Sequence, residues 1–84
     1  MEYKFDISEM EETIDSVKLR GIEFPLVKVS RHTEGRCVRG RYTLDLDGHD
    51  IHIHLNVFPG SPGGEVEVSV PKRHEALFEQ KMEG

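Results

Sequence analysis

The sequence predicts a small α+β domain: a mostly antiparallel sheet of four to five strands in the order β-α-β-β-β-β, with one helix packed on one face. Three observations carry this reading. Apolar and polar residues alternate through most of the stretch from Val38 to Val70, with turn-forming residues between the runs. A helix-start signature stands at Ser8. Hydrophobic residues make up 36% and charged residues 32% of the 84, a balance that suits one globular domain over residues 1–84 and neither a disordered segment nor a membrane protein.

Tyr3, Phe5 and Ile7 alternate with Glu2, Lys4 and Asp6, the period-two pattern of a short first strand with one wet face. Ser8 followed by Glu11 forms a capping box, and Met10, Ile14 and Val17 fall at i, i+4 and i+7. Glu9, Glu11 and Glu12 complement the positive start of a helix, Lys18 and Arg20 its end, and Gly21 offers a stop, so residues 9–20 are expected to be helical. Ile22, Phe24 and Leu26 then alternate in one phase and Val27 and Val29 in the other. The strand there must shift register near Pro25, which marks it as an edge strand or a bulge.

His32 to Arg36 reads as a turn, after which Val38, Tyr42, Leu44 and Leu46 share a parity. Asp47-Gly48 reverses the chain into a strand whose Ile51, Ile53, Leu55 and Val57 alternate with His52, His54 and Asn56. A four-residue loop is favoured there, because it opposes Asp45 to His52, whereas a two-residue loop opposes Asp45 to Asp50. The run from Pro59 to Gly64 breaks the pattern, and Val66, Val68 and Val70 complete the meander. Pro71 suits a helix start, so residues 71–84 are expected to form a short C-terminal helix or a frayed tail.

Composition narrows the function classes. The chain has no basic start with an apolar stretch and no long apolar run, which argues against export or membrane insertion. A lone Cys37 excludes an internal disulfide and fits a reducing compartment, so a cytoplasmic location is expected. A chain this short buries only roughly 60–65% of its unfolded surface, and a homodimer or a partner complex would add to its stability. The net charge of −5 is segregated: residues 1–15 carry six acids and one base, whereas residues 16–42 carry seven bases and two acids.

Three constellations are candidates for function. The first reading is a small non-enzymatic protein-binding module, an acidic inhibitor or adaptor. Its acidic helix, with Glu9, Glu11, Glu12 and Asp15, would engage a basic or nucleic-acid-binding partner protein. The second is a divalent transition-metal site on the His-x-His strand. His52 and His54 point from one strand face, with His49, Asp50, Asp45 and Glu67 as further donors. The third is weak anion or nucleic-acid contact through Arg36, Arg39 and Arg41, two of which share a strand face leading toward the histidines. Against each stands a plainer reading as solvated, ion-paired surface. No nucleophile, phosphate loop or paired-carboxylate motif suggests an enzyme: Cys37 has no specified base, and Ser61 lies in a proline-glycine turn.

Overall fold

The computed structural model describes residues 1–35, 37–57 and 64–84. The described residues form seven strands: β1 (Glu2–Asp6), β2 (Met10–Glu12), β3 (Ser16–Leu19), β4 (Ile22–Glu34), β5 (Cys37–Leu46), β6 (His49–Val57) and β7 (Glu65–Ser69). One helix, α1 (Glu75–Glu83), follows them. All neighbours are antiparallel, in the order β1-β7-β6-β5-β4-β3-β2. Laid flat, seven strands would hold β1 and β2 about 29 Å apart. Only the 3₁₀ turn Ile7–Glu9 joins them, and such a link spans at most about 14 Å. The sheet therefore curls into a partly closed barrel.

This overturns the expected α+β domain of four to five strands with a helix on one face. Residues 9–20 form no α-helix: Glu9 ends the 3₁₀ turn, and the β2–β3 hairpin follows it. Local hydrogen bonding explains the choice. At the turn, Thr13 N–H donates to the Ser16 carbonyl at 2.9 Å and Ser16 N–H donates to Thr13 Oγ1 at 3.0 Å, bonds that compete with a helical ladder. Arg20 and Gly21 both have positive φ, 51° and 82°, the signature of the two-residue turn that matches strand twist, and they join β3 to β4 with Leu19 opposite Ile22. The left-handed tolerance that marks Gly21 as a helix stop serves a hairpin equally well.

The β5–β6 turn follows the same rule. Asp47 and Gly48 have φ of 49° and 90°, Leu46 faces His49, and the two-residue loop opposes Asp45 to Asp50 after all. Asp45 Oδ1 accepts the Gly48 amide at 3.0 Å, so its charge is drawn into the turn. The phase change expected near Pro25 is a register shift between Leu26 and Lys28. The turn expected from His32 is later, because β4 runs to Glu34. Of the breaker run from Pro59 to Gly64, all but Gly64 lies outside the described residues.

The concave side holds the core. Phe5, Phe24, Tyr42, Leu44, Ile53, Val66 and Val68 are buried there, and Phe78 of α1 joins them, its ring 4.8 Å from Tyr3 and 5.9 Å from Phe24. Burial of such apolar area at about 25 cal/mol per Å² is the main force holding the curl. The C-terminal helix expected from the sequence is thus present, anchored in the core by Phe78. Gly40 permits one close approach: a Cβ at that position would lie 2.9 Å from Tyr42 Cε1, so the ring can lie across it.

Candidate functional site

β3 pairs with β4 only from Ile22 to Pro25, whereas β5 follows β4 to Glu34. The far part of the β4–β5 hairpin therefore extends past the core as an arm, in a molecule of 37 × 22 × 22 Å. From Lys28 to Arg41 the sequence holds five of the eleven cations and one of the sixteen acids, +4 in all, which leaves −9 on the remainder. The arm is the positive pole of an acidic protein.

The register sets the arm's outer face. Lys28 faces Thr43, which faces His52; Ser30 faces Arg41, which faces His54; His32 faces Arg39, which faces Asn56. Each cross-strand row so holds one fixed cation, and these rows contain all three of His32, His52 and His54. Two adjoining recesses lie here, one of about 410 Å³ between Lys28, Arg41, Thr43, His52 and His54, the other of about 260 Å³ between His32, Arg39 and Arg41, with Ser30 common to both. Among the described residues, Lys28, Arg39 and Arg41 make no ion pair. Further round the sheet the same rows turn acidic: His54 faces Glu67, Asn56 faces Glu65, and Lys4 pairs with Glu65 at 3.3 Å.

On the inner side, the base of the arm is fixed by Glu12, Arg31 and Tyr42. The Tyr42 hydroxyl donates to Glu12 Oε1 at 2.7 Å, Arg31 Nε donates to the Tyr42 oxygen at 3.4 Å, and Arg31 pairs with Glu12. Partial burial opposes ionisation of Glu12, but the hydrogen bonds from Arg31 and Tyr42 outweigh it and hold the carboxyl below its ordinary range. Burial, then the bond to Glu12, pushes the Tyr42 phenol up. Glu9 is likewise lowered, first by the Asp6 amide that donates to it at 3.0 Å and then by Arg20.

The four carboxylates of the expected acidic helix thus lie on and beside a hairpin. Glu9 and Glu12 pair with Arg20 and Arg31, Asp15 accepts a hydrogen bond from Thr13 Oγ1 at 3.2 Å, and Glu11 is exposed. His52 and His54 do share the outer face, with Thr43 Oγ1 3.3 Å from His52 Nδ1. Among the described residues no group of three or more histidine, cysteine, aspartate or glutamate side chains is placed to hold a metal ion. His49 stacks instead on His74, ring centroids 4.0 Å apart. Arg41 shares one recess with Lys28 and the other with Arg39, and Arg36 is outside the described residues. The sequence reading missed Lys28 and His32, which alternation alone could not place because the bulge beside Val27 resets the phase.

Ser30, His32, His52 and His54 are exposed, so this hydroxyl and these imidazoles are not desolvated in the way that nucleophilic or acid-base chemistry requires. Charge-assisted hydrogen bonding to an anion suits them better. Among the described residues, no helix is long and apolar enough to cross a membrane. Compared with models of protein families, with curated proteins and with solved structures, the chain matches none.

Proposed function

We propose that the protein is a non-enzymatic binding module whose β4–β5 arm contacts the phosphate backbone of a nucleic acid, without reading its sequence. The observation that carries this is the convergence of Lys28, Arg39 and Arg41, none of them ion-paired among the described residues, on one recessed face of a +4 arm. Arginine forks and a lysine ammonium are the side chains that bind phosphate oxygens, and Ser30 and Thr43 add hydroxyl donors beside them. Backbone contact rather than base stacking is favoured by the aromatics. Among the described residues Phe5, Phe24, Tyr42 and Phe78 are buried and Tyr3 is half-buried against Phe78. The acidic remainder repels the same ligand, so affinity is expected to be modest and steeply dependent on salt.

Fluorescence anisotropy with a short labelled DNA duplex, and with a single strand of equal length, tests this at low ionic strength. With three phosphates neutralised, log K should fall against log salt with a slope of about −2.7 on the duplex. Arg39→Glu with Arg41→Glu should abolish binding and leave the melting temperature nearly unchanged, because both side chains are exposed. Absence of binding to DNA and RNA at low salt rejects the proposal. So does equal binding to an acidic polypeptide of similar charge, which would point to a protein partner.

A further inference from the structure

Along the edge of β4 that faces away from β5, β3 covers the strand only as far as Pro25, and the last backbone bond there is from Leu26 N–H to the Asp15 carbonyl at 2.9 Å. Beyond it, no backbone partner meets that edge among the described residues, so alternate amide and carbonyl groups from Val27 to Glu34 face outward. Three of the four large hydrophobic residues found exposed border the same edge: Val27 at 57%, Val29 at 43%, and Ile14 at 98%, one residue from Asp15. Monomeric proteins blunt such edges with bulges, prolines or inward charges. Here the bulge and Pro25 lie before the free segment and leave seven residues, 28 to 34, extended and open.

We infer that this edge pairs with the same edge of a second copy, β4 against β4, in a two-fold antiparallel dimer that extends both sheets into one. The inference rests on the strand edge and not on nucleic-acid binding, although Lys28 belongs to both surfaces. An isologous contact must be self-complementary, and the sequence of the segment selects one register. With Arg31 on the two-fold axis, Lys28 of each copy lies opposite Glu34 of the other on the outer face. Val29 lies opposite Thr33, a β-branched pair, on the inner face. Sliding by one residue per chain sets Lys28 against His32, or His32 against His32, and loses both ion pairs.

The like charges at the axis are compensated, because each Arg31 is already paired with its own Glu12. Glu34 is free to take a new partner, since its contact with His32 is an exposed one at 4.0 Å. Of the remaining cations, Arg39 and Arg41 lie on β5. In the dimer the two β5 strands are three strand spacings apart, about 14 Å, beyond the roughly 8 Å screening length of physiological salt.

Sedimentation equilibrium of the full chain over micromolar to millimolar concentrations reads the result. A concentration-dependent dimer is expected. Lys28→Glu and Glu34→Lys should each raise its Kd about tenfold, because each reversal opposes like charges at two symmetric positions, and the double variant should restore it. Val29→Lys should leave a monomer whose melt matches that of the unsubstituted chain at concentrations below the dimer Kd. Restoration by the double reversal separates strand pairing from a general charge effect. A monomer at every concentration overturns the inference, as does a dimer indifferent to Val29→Lys or one whose charge reversals fail to compensate.

Discussion

At the scale of single residues, Tyr42 does most to define the base of the arm. Its ring fills the space that Gly40 leaves, and its hydroxyl, on a residue 1% exposed, depends on Glu12 as acceptor. Glu12→Ala would leave that hydroxyl without its acceptor and Arg31 without its carboxylate. A buried polar group stripped of its partner costs about 1–3 kcal/mol. In urea unfolding, Glu12→Ala is therefore expected to lower stability by about that amount, and Tyr42→Phe by less. The pair combined should cost clearly less than the sum, the mark of two groups in one network. A fully additive result would mean that the arm is held by its strands alone.

At the scale of elements, α1 is fastened at both ends as well as through Phe78. Near its start His74 stacks on His49 and accepts a hydrogen bond from Arg73 Nε at 3.2 Å, and near its end Lys81 lies 4.0 Å from Asp47. On the far side of the helix the Tyr3 hydroxyl donates to Glu79 at 2.9 Å, and partial burial together with that bond pushes the phenol up to about 12. Loss of solvent, then His49 and then Arg73, hold His74 below the ordinary histidine value of 6.5. The unfolded chain therefore binds the proton first as pH falls. The contribution of this contact is complete above about pH 6.5, declines through that value, and levels off below the lowered folded pKa. Urea midpoints measured from pH 7.5 to 5.5 should fall, and His74→Gln should flatten that fall.

The elements also show how far the fold was legible in the sequence. Strict alternation from Tyr42 to Val57 placed the inner and outer faces of β5 and β6 correctly, because a half-buried strand has no other way to satisfy both solvent and core. The spacing of Met10, Ile14 and Val17 misled, since a short hairpin can supply the same intervals. Val17 is buried in β3, while Ile14 stands at the turn, almost wholly exposed. Thr13, Asp15 and Ser16 favour local side-chain bonds, and that preference was the available counter-signal. At the candidate site, parity alone put Arg39 and Arg41 on the face of His52 and His54. Lys28, Ser30 and His32 reached it only through the β4–β5 register, a long-range fact that alternation does not encode.

At the scale of the whole molecule, a positive arm on a negative body makes the protein strongly polar, which orients it toward a polyanion before contact. The ring-like strand order governs its folding. Six successive strands pair with their sequence neighbours, whereas β1 must wait for β7, with Met1 N bonded to Val70 O across 69 residues. Closing so long a loop costs entropy that the local hairpins do not incur. Phe5→Leu is therefore expected to speed unfolding and leave the refolding rate almost unchanged in stopped-flow denaturant series, whereas substitutions in β5 and β6 should slow refolding.

The same strand order has a consequence during synthesis. The ribosome makes β1 before the other six strands, yet among the described residues its neighbour along the sheet is β7, translated some sixty residues later. Until then Tyr3, Phe5 and Ile7 are an apolar strand without a mate, open to chaperones and to other nascent chains. The earliest of the seven strands is the last to find its place.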